Sequence, residues 1–236
     1  MSQSKTKIIF LREFSTFFSS PGPYIIIALY LMVTGWFFFS TFFLYQRSDL
    51  RNFFNMMPVI FSLTIPAVTM RLFSEEYRSG SYEILGTQPV TVLNILLGKS
   101  LSALALTAFM LIPTLSYPVI VSFLGDLDWG PVAGGYLAAL FLSASYIAIG
   151  VFFSSTTKNQ IVAFILSAVA CLFLSLIHQM LVIIPPGTAA VIQAVSAGYH
   201  FDSISRGIVD SRDILYFLSL TYLFLHAAWI VNKEYR

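Results

Sequence analysis

The sequence predicts an all-α membrane protein with six transmembrane helices, and two observations support this fold class. Of the 236 residues, 57% are hydrophobic and 10% are charged, whereas soluble domains carry roughly 25% charged residues. The apolar residues form long runs that suit bilayer-crossing helices, and short polar segments separate these runs. The predicted spans, within a single domain over residues 1–236, are about 24–44, 58–73, 98–124, 132–153, 161–184 and 214–231.

Two further segments are predicted to lie at the membrane surface or to enter it only partly. Residues 8–20 place apolar and polar side chains on opposite helical faces, which favours an interfacial helix. The alternative is the cytoplasmic end of span 1. Pro21-Gly22-Pro23 then predicts a corner in the chain. Residues 188–200 are moderately apolar but too short to cross, so they predict a re-entrant or interfacial region between spans 5 and 6.

Composition argues against several functional classes. The net charge is only +2 and the basic residues are dispersed, so nucleic acid is not an expected partner. The single cysteine, Cys171, cannot form an internal disulfide or a cysteine-based metal site, and we expect neither a metal nor a cofactor on this chain. The sequence has no Gly-x-x-x-x-Gly-Lys-[Ser/Thr] phosphate-binding loop. Uphill transport would therefore take its energy from another chain.

The predicted spans contain almost no ionisable side chains. The exceptions are His178, near the outer end of span 5, and His226, in the inner half of span 6. An ion-coupled carrier usually has carboxylates or broken helices at the membrane midplane, so this class is disfavoured. For His178 a polar lining or packing role is favoured over catalysis, because no glycine-flanked nucleophilic serine accompanies it.

The distribution of basic residues predicts the orientation. Six spans place both termini on one side, and that side has nine of the 13 Lys and Arg residues. They are Lys5, Lys7, Arg12, Arg71, Arg78, Lys99, Lys158, Lys233 and Arg236. The positive-inside rule makes this side, with both termini, cytoplasmic. Lys99, at the start of span 3, is expected to snorkel towards the interface.

The longest cytoplasmic segment, residues 71–90, concentrates charge between two apolar spans. Its charged residues are Arg71, Glu75, Glu76, Arg78 and Glu83. Because span 2 is short, its helix is expected to project past the membrane as far as Arg78. Glu75 and Arg78 would then pair on one helical face. Ser79-Gly80-Ser81 is expected to end this helix.

A second, very short helix is predicted over residues 81–86. Gly80 is an acceptable N-cap, and Glu83, three residues later, can reach back to its amide. Tyr82 and Leu85 are three positions apart and would be displayed on one exposed face. Such a helix suits insertion into a cleft on a partner, and the alternative is a solvated loop.

Residues 75–90 resemble the cytoplasmic signature of ABC-2-type exporter permeases. The string is EEYRSGSYEILGTQPV, and the family pattern is roughly acidic-acidic-x-Arg-x-Gly-Thr/Ser-x-Glu-x-Leu-x-x-x-Pro-Val. Residues 200–210 are similar to the gliding-motility permease branch of this family. The resemblance implies an N-terminal elbow helix and, at residues 81–86, a coupling helix that sits in a groove of a cytoplasmic ATPase subunit.

The resemblance also implies an assembly in the bacterial cytoplasmic membrane. Two permease subunits, identical or different, pair in the bilayer, and each holds an ATPase subunit that binds ATP and Mg²⁺. An accessory extracytoplasmic subunit is a further candidate partner. The residues implied in ATPase coupling are Glu75, Glu76, Arg78, Gly80, Tyr82, Glu83, Leu85 and Pro89. Those implied for the translocation path are Phe38, Phe39, Phe42, Phe43, His178 and Gln179.

The function predicted from the sequence is therefore that of a permease subunit of an ATP-driven exporter, which is not an enzyme by itself. The rival class is a membrane scaffold that anchors a peripheral complex without transporting anything. A neighbouring reading frame for a Walker-type ATPase would distinguish the exporter from the scaffold. Nothing in the sequence selects among lipid-linked, peptide and other hydrophobic substrates.

Overall fold

The computed structural model describes residues 5–45, 50–82, 90–182 and 186–234, which form helices joined by turns and short loops. In chain order the helices are α1 (Lys5–Ser19), α2 (Pro21–Tyr45), α3 (Arg51–Thr69), α4 (Ser74–Ser79), α5 (Val92–Leu111), α6 (Ser116–Leu124), α7 (Trp129–Thr156), α8 (Gln160–Leu176), α9 (Pro186–Val195), α10 (Ala197–Ser205) and α11 (Ser211–Glu234). Short 3₁₀ segments cover Pro113–Leu115 and Ile177–Val182.

Six helical segments are long and apolar enough to cross a membrane, which confirms the predicted fold class. They are Pro21–Ser40, Arg51–Ser79, Val92–Leu124, Trp129–Thr156, Gln160–Gln179 and Ser211–Lys233. The predicted start of span 2 near Pro58 is wrong, because α3 begins at Arg51 and contains Pro58 in its interior. The preceding turns pack into the core, where Phe54 is 1% and Met57 0% exposed. This burial favours the longer helix.

The N-terminal helix and span 1 meet at a sharp corner, as predicted. α1 ends at Ser19 and α2 begins at Pro21, so the corner is at Ser20. Pro21 and Pro23 belong to the first turn of α2, where a missing backbone N–H needs no partner. α1 lies directly against α5, because a side chain at Gly98 would collide with Ile9. The interfacial position of α1 remains a prediction.

Helix α7 occupies the centre of the fold. It packs against α3, α5, α8, α10 and α11, and the side chains of Leu142 and Tyr146 are fully buried. Two glycines bring α3 close to it. Gly135 faces the ring of Phe54, and Gly150 faces the side chain of Thr69. The end of α3 is therefore held against the C-terminal half of α7.

The predicted extension of span 2 to Arg78 holds for the helical segment as a whole, Arg51–Ser79, but not for one unbroken helix. α3 ends at Thr69, a turn covers residues 70–73, and α4 follows. The side chain of Ser154, on α7, enters this turn: its hydroxyl donates to the carbonyl of Met70 (3.0 Å) and accepts from the amides of Phe73 (3.1 Å) and Ser74 (3.2 Å). These bonds satisfy backbone groups that the interruption leaves without helical partners.

The region between spans 5 and 6 consists of the 3₁₀ segment Ile177–Val182 and the short helices α9 and α10. Ser196 separates α9 from α10, and its hydroxyl accepts from the amide of Tyr199 (3.2 Å). Phe201 and Ile204 on α10 are fully buried. The predicted re-entrant or interfacial region therefore consists of short helices, and its entry into the membrane remains a prediction.

Candidate functional site

The side chain of Lys99 is buried at the junction of α1, the 70–73 turn and α5. It is 1% exposed. Its ammonium group donates to the carbonyl of Leu72 (2.6 Å) and to Oε1 of Glu76 (2.8 Å), and it lies 3.5 Å from Oε1 of Glu13. The Phe73 ring centroid is 5.2 Å away. The expected snorkelling is wrong, because these partners hold the ammonium inside the protein.

The charges of Lys99, Glu13 and Glu76 depend on one another. A buried ammonium is tolerated only when charge pairing and hydrogen bonds replace its lost hydration. Lys99 faces two carboxylates, those of Glu13 (14% exposed) and Glu76 (16% exposed). The second oxygen of Glu76 is buried and has no hydrogen-bond partner among the described residues. Removal of Lys99 would therefore leave two neighbouring carboxylates without their counter-ion.

A charged cavity of about 330 Å³ opens beside Lys99, between α1 and α4. The ionisable residues that line it are Arg12, Glu13, Arg71, Glu75, Glu76 and Lys99. The Arg71 guanidinium also lies against Gly22 at the start of α2, where any side chain would collide with it. The charged stretch thus contacts both the N-terminal helix and the beginning of span 1.

Helix α4 has charged residues on two faces, one exposed and one directed towards Lys99. Glu75, Arg78 and Gly80 are exposed, whereas Glu76 points towards Lys99. The predicted Glu75–Arg78 pair is wrong, because the ion pairs of the described residues do not include it. Gly80 has φ +73° and is the left-handed C-cap of α4, so the structure places it at the end of a helix. Its predicted N-cap role depends on residues 81–86, most of which lie outside the described residues.

Two tyrosines fasten the charged stretch to the last helix. Tyr82 is 6% exposed, and its ring packs edge-on to Tyr77 at a centroid distance of 4.7 Å. The Tyr77 hydroxyl donates to the side-chain oxygen Oδ1 of Asn232 (2.7 Å). The Tyr82 hydroxyl donates to the backbone carbonyl of Asn232 (3.4 Å). The predicted display of Tyr82 on an exposed face is therefore wrong. Glu83, Leu85 and Pro89 lie outside the described residues.

The sequence prediction missed Asn232, because it ended span 6 at about residue 231. Asn232 is fully buried, and its amide donates to the carbonyl of Ala228, one turn earlier in α11 (2.7 Å). α11 continues to Glu234, so Asn232 lies within this helix, one turn after Ala228. Its tyrosine partners lie 150 or more residues away, so no local pattern identifies them.

The predicted path residues lie on two separate segments. On α2, Phe38 is 2% exposed and stacks on Tyr117 at 4.5 Å, whereas Phe39 is 44% exposed. Phe42 and Phe43 also belong to α2, but their side chains lie outside the described residues. After α8, His178 is half-buried against Gly198, and Gln179 is exposed. A buried Phe38 forms part of the core, and the role of the whole set in transport remains a prediction.

A second polar cluster occupies the opposite end of the fold. Nδ1 of His200 lies 2.6 Å from Oδ1 of Asp213, and the imidazole stacks on Tyr216 at 4.1 Å. The Tyr216 hydroxyl donates to the carbonyl of Val195 (2.6 Å). These contacts connect α9, α10 and α11.

Asp202 lies on α10, close to this cluster in the chain. Burial raises the pKa of its carboxyl group, and the charges of His178 and Arg206 only partly offset this increase.

The described residues contain no group of three or more His, Cys, Asp or Glu side chains that could hold a metal ion. The arrangement at Lys99 is suited to transmitting movement, because it joins the exposed charged helix α4 to α1 and α5.

Comparison with known protein families matches residues 37–227 to the family described as ABC-2 family transporter protein. The match covers most of the chain and includes α4 and Lys99, whereas Glu13 and the rest of α1 lie outside it. No curated protein matches the sequence.

Proposed function

Because the chain belongs to the ABC-2 family of transporter proteins, we propose that it is the permease subunit of an ATP-driven exporter in which α4 and residues 81–89 receive the movement of the ATPase. As a family member it is a multi-pass membrane permease of an ABC transporter, and the family implies an ABC ATPase partner. The observation that supports the proposed coupling route most strongly is the buried bond between Lys99 and Glu76.

The proposed docking face is the exposed side of α4. Glu75, Arg78 and Gly80 are accessible there, and a pair of opposite charges that do not neutralise each other can select a partner of complementary charge. Glu83 and Leu85 follow on the predicted coupling helix and Pro89 comes after it, and all three are proposed to contact the same subunit. Glu76 and Tyr82 act from the inner side and position this face.

Three buried polar connections support a route from α4 into the membrane domain. Lys99 joins α4 to α1 and α5, Ser154 joins the preceding turn to α7, and Asn232 joins Tyr77 to α11. A displacement of α4 would therefore act on four helices at once. ATP can shift the permease between two states only if the ATPase binds this face with different affinity in each state.

The wider assembly is proposed on the family resemblance. Two permease subunits, identical or different, pair in a bacterial cytoplasmic membrane with both termini in the cytoplasm. ATP and Mg²⁺ bind to the ATPase subunit, and an accessory extracytoplasmic subunit completes some assemblies. We also propose membership of the gliding-motility branch, from residues 200–210. The proposed path is lined by Phe38, Phe39, Phe42, Phe43, His178 and Gln179.

The test is to purify the tagged full-length chain from membranes of its native host and to identify the retained proteins by mass spectrometry. The proposal expects an ABC ATPase subunit and ATP hydrolysis in the purified complex. Replacement of Glu75 and Arg78 together by Ala should remove most of both. The exposed Lys158, on the same predicted side, provides a matched control variant, Lys158→Ala.

Two results would contradict the proposed function. Absence of any ABC ATPase from a complex that is otherwise stable would favour the membrane scaffold instead. Full retention of the ATPase by the Glu75→Ala/Arg78→Ala variant would show that the docking face lies elsewhere.

A further inference from the structure

An apolar groove runs between α1 and α5 and reaches α7. Its volume is about 610 Å³, which lies within the range of about 300–1,000 Å³ typical of small-molecule sites. The apolar residues that line it are Phe10, Leu101, Leu104, Ala105, Ala108 and Leu140. Leu101 and Ala108 are two helical turns apart, so the floor on α5 alone extends for about 10 Å.

Small side chains create the groove beside the line of contact between α1 and α5, which continues as far as Phe18 and Phe109. The two helices touch at Gly98, where Ile9 and the backbone of Phe10 leave no room for a side chain. Further along α5, Ala105 and Ala108 are half-buried and too short to fill the space beside Leu104. The groove therefore follows from the sequence of α5 and from the close contact that precedes it.

One end of the groove has a basic residue. The Thr6 hydroxyl donates to Oδ1 of Asn94 (3.1 Å), which fixes the beginning of α1 beside the first turn of α5. Lys7 follows and lines the groove near this end. It is exposed, and the ion pairs of the described residues do not include it. None of the described lining residues is acidic.

We propose that this groove binds a phospholipid, with the lipid phosphate on Lys7 and one acyl chain along Leu101, Leu104 and Ala108. The groove is open to the side of a helix bundle that is built to cross a membrane, so its ordinary surroundings are lipid. An anionic phospholipid combines the chain and the charge that this site requires.

The experiment uses the full-length chain reconstituted in vesicles of phosphatidylglycerol and phosphatidylcholine. A trace of phosphatidylglycerol with a photoactivatable group on its acyl chain is added and irradiated, and the labelled peptides are mapped. The proposal expects labels on α1 and on residues 101–108. Phosphatidylcholine with the same photoactivatable chain should label these segments several-fold less.

Two kinds of variant separate the head-group contact from the chain contact. Lys7→Ala should weaken labelling by about fivefold, the effect of one basic residue at an anionic surface, and Lys7→Arg should retain it. Ala108→Phe should fill the groove and reduce labelling there to the background of the remaining surface. Lys158→Ala, a basic residue away from the groove, should change nothing. Because Lys7 is exposed, we expect its variants to fold as the wild type does.

Labelling that is uniform around the bundle and unaffected by Lys7→Ala and Ala108→Phe would overturn the proposal, since the lipid would then be ordinary solvent. Cross-links from the groove to a second copy of the chain would also overturn it, because the groove would then be a subunit interface. Neither result depends on the ATPase, so the lipid site can fail while the proposed function stands.

Discussion

Nζ of Lys99 lies 2.8 Å from Oε1 of Glu76, and this ion pair connects the exposed charged helix α4 to the interior of the membrane domain. The ammonium also reaches the carbonyl of Leu72 and the carboxylate of Glu13. Lys99 therefore connects α5 to two other segments of the chain, α1 through Glu13 and residues 72–76 through Leu72 and Glu76. It links the proposed docking face directly to α5 and, through Glu13, to α1.

Replacement of Lys99 by Met should destabilise the protein by about 3 kcal/mol, the lower end of the cost of breaking a buried ion pair by removing one partner. The lower end applies because Glu13 and Glu76 retain slight exposure. Thermal unfolding of the purified chain in detergent measures the effect. Adding Glu76→Gln to Lys99→Met should recover part of the loss, because one uncompensated carboxylate is then removed.

The matched control is Lys158→Met, which changes an exposed lysine by the same chemistry and should leave the melting temperature unchanged. Equal melting temperatures for Lys99→Met and the wild type would contradict the buried ion pair.

Replacement of Asn232 by Ala should cost about 1–3 kcal/mol, because the Tyr77 hydroxyl and the local helix lose a buried partner. Tyr77→Phe should cost less, and the double variant should cost less than the sum of the two single changes. A double-mutant cycle on thermal stability measures this coupling. Strict additivity would show that the two side chains do not interact. Tyr24→Phe, which removes an exposed hydroxyl bond to the carbonyl of Phe18, is the control.

Gly80→Ala should destabilise α4 by about 1 kcal/mol, because φ +73° is unfavourable for a residue with a Cβ atom. No heavy atom lies within 4 Å of the position that this Cβ would take, so the cost arises from the backbone alone. Gly80→Asn should cost less, since Asn tolerates the left-handed region better. If Ala and Asn at this position were equally harmless in thermal unfolding, the assigned conformation would be wrong.

Asp202→Asn should stabilise the protein at neutral pH and not at acidic pH. Burial raises the pKa of Asp202 above its ordinary value of 3.8, against the opposing charges of His178 and Arg206. The folded state therefore favours the protonated carboxyl, and its stability falls as pH rises from the unfolded pKa through the folded one. The neutral amide avoids this loss.

Melting temperatures of wild type and Asp202→Asn at pH 4 and pH 7 test this sign. A benefit of the amide that is larger at pH 4 than at pH 7 would reverse the assignment. Asp210→Asn, an exposed change in the following loop, is the control and should show no such dependence.

The sequence predicts those features that depend on local composition and periodicity. The six spans, the corner near Pro21 and the helix break at Gly80 follow from apolar run lengths and from Pro and Gly. The number of spans needed no tertiary information, whereas their bounds did. α3 extends seven residues beyond its predicted start, because Phe54 and Met57 pack into the core.

The remaining features depend on contacts between distant residues. Ser154 interrupts span 2 from a position about 80 residues later, and Asn232 fixes Tyr77 from more than 150 residues later. Lys99 is buried only because Glu13 and Glu76 approach it from two other segments. A single sequence contains no signal that pairs these residues, and their local patterns favoured exposure.

We propose that the exposed face of α4 contacts the ATPase and that Lys99 transmits the movement of α4 to the membrane domain. The most direct measurement places a photo-cross-linking amino acid at Arg78 in cells of the native host and identifies the captured protein by mass spectrometry. We predict capture of an ABC ATPase subunit from this position and none from Lys158. In the Lys99→Met background the capture should persist, because the docking face is intact. ATP hydrolysis in that variant should no longer be coupled to movement of the membrane domain. Equal capture from Arg78 and Lys158, or none from Arg78, would contradict the account.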